Sequence, residues 1–264
     1  LYSNELTLSV IGLSVLTAGL LQLALNFSVS VYLGYLPNFN FSFNKKLLRI
    51  FFSRFLPAIF AAGIYQLNVL VDTIYASFLD TGSPTWLYLS DRLIQFPMGL
   101  FGVAIALVAL PDLTETILKK DKSEFRKVLR KGLSSTFLIG LLSGIFYILL
   151  STQVIEFLFM RGEFTYIDVQ MTASSLVAYS YALPFLLSAK FFNSVFFAAS
   201  KTKFVLIIGF ISLLTNLILN YVFIFIYDLG HVGLALATTC AATLSWLISL
   251  LFIYKINKGI SYAK

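Results

Sequence analysis

The chain has 264 residues, of which 59% are hydrophobic and only 12% charged, with a net charge of +7 and a mean hydropathy of +0.89. A soluble domain carries about 25% charged residues, so this composition excludes one and points to a membrane. A single cysteine, Cys240, excludes a disulfide framework and a cysteine metal site, and a single histidine, His231, excludes the paired-histidine pattern of zinc hydrolases.

A transmembrane helix needs about 20 mostly apolar residues, and seven stretches meet that length: about 7–34, 54–79, 85–110, 133–151, 169–198, 204–227 and 232–254. The second holds Gln66, Asn68 and Asp72. The third carries Asp91 and Arg92 in its first half. The fifth holds Lys190 and Asn193, the sixth Asn216 and Asn220, and the seventh Thr238. Pro57, Pro97 and Pro184 are the expected kinks. The fold class is an all-α polytopic membrane protein.

The connections fix an orientation. Of the 19 Lys and Arg residues, all but Arg92, Arg161 and Lys190 fall on alternate connections or the tail. They sit at Lys45 to Arg54, Lys119 to Lys131, Lys201 and Lys203, and Lys255 to Lys264. Positive loops stay cytoplasmic, so residue 1 is placed near the outer face and the tail inside. The same distribution explains the basic balance without nucleic acid as a partner. The chain opens on Leu1 with no leader pattern, and reads as an internal piece of a longer protein.

The third connection carries apolar stripes at helical spacing, Leu113 and Ile117, then Phe125, Val128 and Leu129. Asp121-Lys-Ser-Glu124 resembles a capping box. The expectation is a short interfacial helix, a break near Lys120–Asp121, and a second helix, with the basic segment resting on anionic lipid.

No catalytic constellation is present. Ser and Thr are plentiful, but no base accompanies them in a recognisable arrangement, and no glycine-rich phosphate loop occurs, so the chain is not read as an enzyme. Intramembrane charge is the functional signal. The guanidinium fork of Arg92 matches phosphate geometry; its bland alternative is a structural ion pair. Asp91, the adjacent residue, points about 100° away and is a poor direct partner. Lys190 either snorkels to an interface or faces a cavity. Asn216 and Asn220 share one helix face, and either join helices by hydrogen bonds or, with Asp72, offer hard oxygen ligands to a small cation. Trp86, Tyr88 and Trp246 read as belt or packing aromatics, His231 as a helix-edge residue and Cys240 as a small packing residue.

Three runs in the second and third spans then carry a resemblance. Gln66-Leu-Asn-Val-Leu-Val-Asp72-Thr-Ile-Tyr-Ala-Ser-Phe-Leu, Gly82-Ser-Pro-Thr-Trp-Leu-Tyr-Leu-Ser-Asp-Arg92-Leu-Ile-Gln-Phe-Pro97-Met-Gly99-Leu-Phe-Gly102-Val-Ala and Leu110-Pro111 closely resemble the MurJ/MviN lipid II flippases. Ala18-Gly19-Leu-Leu-Gln22-Leu, Arg161-Gly162-Glu-Phe-Thr and His231-Val-Gly-Leu-Ala-Leu-Ala-Thr-Thr extend the resemblance over essentially the whole chain. It implies the multidrug/oligosaccharidyl-lipid/polysaccharide exporter fold, in which two six-helix lobes face a central cavity. On that pattern residues 1–35 are the last helix of the first lobe, 36–53 a cytoplasmic linker and 54–264 the second lobe.

The resemblance implies a multi-pass protein of the bacterial inner membrane that moves lipid II from the inner to the outer leaflet by alternating access. Arg92 matches a cavity arginine that holds the lipid-linked pyrophosphate, and Asp91, Lys190, Thr85 and Trp86 complete the expected substrate-binding set. No organic cofactor is implied. Some relatives hold a sodium ion, and the matching positions here are Asp72, Asn216, Asn220, the Leu234 carbonyl and Thr238. The family's Ala-Pro-x-Phe-Tyr run after the lysine is absent: Lys190 is followed by Phe-Phe-Asn193-Ser194-Val-Phe-Phe197. Two alternatives stand beside this reading: an exporter of another lipid-linked saccharide or a drug, and a non-transporting scaffold for cell-wall enzymes.

Overall fold

The computed structural model describes residues 2–35 and 45–261, and every regular element among them is helical. Much of the expected linker 36–53, the tail residue Lys264, and the side chains of Arg54 and Pro57 lie outside the described residues. The chain divides into two units, Leu1–Ile50 and Phe51–Lys264. The first contains α1 (Tyr2–Tyr32). Its described apolar side chains, Leu13, Leu16, Leu20 and Leu23 among them, are exposed, as suits a helix made for an apolar surrounding.

The helix α2 (Lys45–Ala76) leads into the second unit. Next come α3 (Ser83–Pro97), a π-helical turn at Met98–Gly102, and α4 (Val103–Leu118). Helix α5 (Lys122–Phe159) is followed by α6 (Tyr166–Ser180) and α7 (Leu183–Ala198). Helix α8 (Thr202–Tyr221), a second π-helical turn at Val222–Ile226, and α9 (Gly230–Ser261) complete the unit.

Gly12–Tyr32, Ser83–Leu118, Lys122–Phe159, Thr202–Ile226 and Gly230–Lys258 are long and apolar enough to cross a membrane. The pair α6 and α7, bent by 51° at its break, makes a sixth. The remaining expected span, 54–79, falls on α2, where several side chains lie outside the described residues.

Two of the expected kink positions, Pro97 and Pro184, stand at breaks in the helices. Pro97 ends the α-helical part of α3, and the chain widens into the π turn that follows. Pro184 stands in the first turn of α7, where its missing N–H is harmless. The break before it frees the Ala178 carbonyl, because the Ala182 N–H bonds Tyr179 instead. Thr239 on α9 donates to that carbonyl at 2.8 Å. Such re-satisfaction lets broken helices persist in lipid.

Two apolar clusters hold the second unit together. One gathers Leu87 and Ile94 of α3, Tyr147 and Ile155 of α5, Leu176 and Leu183 around the bend, and Leu234 of α9. The other packs Leu113 of α4 and Phe125 of α5 against Phe191, Phe192, Val195 and Phe196 of α7. Trp246 packs at tilted and edge-on angles among Phe137, Phe185 and Phe192, in keeping with a packing role. Cys240, expected to pack, is instead exposed on α9.

The third connection differs from its expectation in two ways. Leu113 and Ile117 belong to the end of α4 itself, so no separate interfacial helix forms there. Leu113 and Phe125 are 0% exposed, so their stripes face α7 rather than lipid. The break falls where expected, with Lys120 at φ 55°. Asp121 caps α5 by accepting from the Ser123 and Glu124 N–H groups at 3.0 Å each. Glu124 turns to Lys127 at 3.2 Å, so the cap is one-sided rather than a reciprocal box.

Candidate functional site

The helix α3 starts at a glycine because nothing else fits. Gly82 has φ 106°, and a Cβ there would lie 2.6 Å from the Trp86 ring. From this start, α3 sorts its residues onto two faces. Trp86, Leu87, Ser90 and Ile94 are buried, while Thr85, Tyr88 and Arg92 are exposed at the i, i+3, i+7 spacing of one stripe.

The exposed stripe holds Arg92 without a salt bridge among the described residues. Its guanidinium carbon lies 4.7 Å from the centre of the Tyr88 ring, within the roughly 6 Å reach of a cation–π contact. Its Nη1 donates to Gln95 Oε1 at 3.2 Å. Gln95 Nε2 donates in turn to Asp91. The amide therefore bridges the two charged residues, and no salt bridge to Arg92 forms among the described residues. Thr85 lies on Arg92's face. Lys190 does not join it: its stem packs on Gly102, a Cβ on which would be 3.5 Å from Lys190 Cγ. Ten residues separate Gly102 from Arg92, or about 15 Å along a helix axis.

Trp86 departs most from its expected place beside a ligand. It is 8% exposed and donates from Nε1 to Asp168 Oδ1 at 2.9 Å. Asp168 also accepts from the backbone N–H and hydroxyl of Thr165 at 2.8 and 2.7 Å, closing the capping box of α6. The His231 ring meets the indole edge-on at 5.0 Å, with its Nε2 3.1 Å from the Met171 carbonyl. Trp86 thus joins the ends of α3, α6 and α9, which is the packing reading of this residue. Ser90 reinforces the same seam by donating to the Thr172 carbonyl at 2.8 Å.

The five residues matched to a cation site converge. Asn220 Nδ2 on α8 donates to Asp72 Oδ1 on α2 at 2.7 Å and to Asn216 Oδ1 at 3.1 Å. Asn216 Nδ2 donates to Thr238 Oγ1 on α9 at 3.1 Å. Thr238 Oγ1 lies 3.2 Å from the Leu234 carbonyl and 3.4 Å from Asp72 Oδ2. Asn216 and Asn220 are buried, and Asn220 Oδ1 has no hydrogen-bond partner. The oxygens gathered here, a carboxylate, an open amide oxygen, a hydroxyl and a main-chain carbonyl, are of the hard type that small cations take. Among the described residues no cluster of three His, Cys, Asp or Glu side chains occurs, so a transition-metal site is not what these groups build.

A cavity of about 120 Å³ has Asp72 and Thr238 on one part of its lining and Leu87, Tyr88 and Asp91 on another. It places the polar cluster and the base of Arg92's stripe around a common space. Sequence reasoning missed Tyr88 and Gln95 as partners of Arg92. Their spacing, four before and three after, was the available signal.

The model of the family described as Lipid II flippase MurJ matches residues 1–263. The chain belongs to the MurJ family. It is 38% identical over 190 residues to the "Probable lipid II flippase MurJ" of Vibrio cholerae serotype O1, covering 72% of this chain and 36% of that protein. Against the protein of the same name from Buchnera aphidicola subsp. Acyrthosiphon pisum, identity is 34% over 241 residues, covering 90% of this chain and 46% of the relative. A solved structure titled "Lipid II flippase MurJ, inward closed conformation" aligns with a TM-score of 0.69 and 30% identity over 84% of this chain and 48% of that one. An outward-facing transporter of the multidrug MATE family, of the MOP superfamily, aligns with a TM-score of 0.66 at 16% identity over 75% of this chain and 43% of that one, a likeness of fold alone. The chain thus spans half or less of the length of these relatives. It is an all-α, multi-pass membrane protein of the exporter fold.

Proposed function

We infer that the chain forms the second lobe, with one preceding helix, of a flippase that moves lipid II from the inner to the outer leaflet of the bacterial inner membrane. The carrying observation is Arg92: a guanidinium on the exposed stripe of an apolar helix, held by Tyr88 and Gln95 and free of a salt bridge among the described residues. A cation so held is available to a pyrophosphate, and its fork takes two oxygens where a lysine offers a mobile point charge. Thr85 on the same stripe supplies a hydroxyl, and Asp91 sets Gln95. Lys190 contributes at another depth, and Trp86 acts through packing. The work is binding and reorientation, with no bond made or broken. Alternating access then needs α3 to move with its cargo group while the oxygen cluster of Asp72, Asn216, Asn220, Thr238 and the Leu234 carbonyl ties α2, α8 and α9. A sodium ion held there would add a positive charge and fix the same three helices. The charge pattern sets residue 1 outside and the tail inside, with lipid II and the bilayer as partners and no role for nucleic acid.

The test is Arg92→Ala in the full-length protein. Losing a charge-assisted contact should weaken lipid II binding by about 1.5–3 kcal/mol, or roughly tenfold or more, and transport should fail in a normally inserted protein. Arg92→Lys should be impaired to an intermediate degree. Normal transport by Arg92→Ala would show that Arg92 is structural or idle and would remove the pyrophosphate assignment; absence of lipid II transport by the unaltered protein would favour a scaffold, and transport of a different lipid-linked saccharide in preference to lipid II would favour the exporter alternative.

A further inference from the structure

Among the described residues, the side chains that hold the Arg92 guanidinium, Tyr88 and Gln95, lie on its own helix. The direction of the guanidinium is therefore inherited from the backbone of α3. Leu93 follows Arg92, and its carbonyl is the helical acceptor for the N–H of residue 97. That residue is Pro97, which has none to give. The hydroxyl of Tyr147, from α5, donates to this carbonyl at 2.9 Å. Tyr147 is 6% exposed and packs within the first apolar cluster.

The surroundings make this contact more than a stray bond. Beyond Pro97 the chain winds as a π turn, and in α5 Leu150 has non-helical angles of φ −120° and ψ 16°, three residues after Tyr147. One turn and two turns before Tyr147, Gly144 and Gly140 lie against the break between α6 and α7. A Cβ on Gly144 would be 2.8 Å from the Ser180 carbonyl oxygen, and one on Gly140 2.6 Å from Pro184 Cα. A single stretch of α5 thus braces the breaks in both neighbouring spans.

We propose that Tyr147 is a positioning residue for Arg92: its hydroxyl stands in for the main-chain donor that Pro97 removes, and so holds the turn that carries the arginine. This rests on the reading of Arg92 as the pyrophosphate contact. With the Leu93 carbonyl bonded, α3 keeps its α-helical course to the Pro97 break. Without that bond, the bend shifts toward Arg92 and turns its stripe.

The experiment uses the full-length protein in vesicles, in a cysteine-free background that includes Cys240→Ser and carries Arg92→Cys. The rate of reaction with a water-soluble methanethiosulfonate reports the aim of position 92. Tyr147→Phe should change that rate by about two- to tenfold, the scale of one hydrogen bond. Adding Pro97→Ala, which returns a main-chain donor to Leu93, should restore it. An unchanged rate, or a change that persists with Pro97→Ala, overturns the proposal, as does a Tyr147→Phe protein that loses only thermal stability. If Tyr147→Phe does not accumulate, the Tyr147→Phe/Pro97→Ala double variant should, and its failure also overturns the proposal. Thiol reactivity does not require transport, so a failure of the pyrophosphate reading is seen separately, as normal transport by Arg92→Ala.

Discussion

Gly140→Ala isolates the closeness of α5 to the broken span. The added methyl would lie 2.6 Å from Pro184 Cα, 2.7 Å from the Leu183 carbonyl oxygen and 2.9 Å from its carbon. All three are backbone atoms, so no side chain can swing aside. Ordinary carbon contacts begin near 3.5 Å, and α5 and α7 must part by close to 1 Å. Overpacking of this kind costs about 1–3 kcal/mol, while replacing a helical glycine by alanine returns about 0.8–1 kcal/mol. A clash against main chain puts the cost in the upper half of that range, about 2–3 kcal/mol, so the net expectation is a loss of about 1–2 kcal/mol. Gly99→Ala, in the π turn, is the control: nothing in this chain lies within 4 Å of its added carbon, so it carries no clash. Reversible unfolding of the full-length protein in mixed micelles, titrated with dodecyl sulfate, gives both numbers. If Gly140→Ala were as stable as Gly99→Ala, the close approach of the two helices would be refuted.

Two further outcomes follow from the site and the charge pattern. Sodium should raise the thermal stability of the full-length protein more than potassium does, by mass action on the folded state, and Asp72→Ala should abolish the difference; equal shifts with both ions would remove the sodium assignment. In a cysteine-free background, Thr81→Cys should be labelled on whole cells by an impermeant thiol reagent and Ser123→Cys should not, and the reverse pattern would overturn the topology.

Much of the site could be read from spacing. Arg92 declared itself by lying in an apolar span, where a charge is costly. Asn216 and Asn220, four apart, were bound to share a face, and Leu234 and Thr238 repeat that interval. The meeting of these pairs with Asp72 followed from family resemblance rather than from spacing, because contacts between residues 148 or 166 positions apart leave no local signal. Trp86 shows the limit from the other side. Its one-residue offset from Thr85 rotates it about 100° off Arg92's stripe, yet only the position of Asp168, 82 residues away, explains what the indole does.

By itself the sequence determined that this protein is helical, that it lives in a membrane, and which loops are basic. These properties depend on local composition and on the length of apolar runs, which the bilayer reads directly. It also marked three of the breaks, since Pro97, Pro184 and the Lys120–Asp121 turn act through their own backbone; those at Leu150 and Val222–Ile226 carry no such local mark. The tertiary structure decided what each break is bonded to. Pro97 frees a carbonyl wherever it occurs, but that Tyr147 answers it, as Thr239 answers Ala178, depends on which helix packs alongside. The same holds for the stripes of Leu113 and Phe125: their period marks an apolar face, and only the position of α7 turned that face to protein instead of lipid. Periodicity names a surface, and packing chooses its partner.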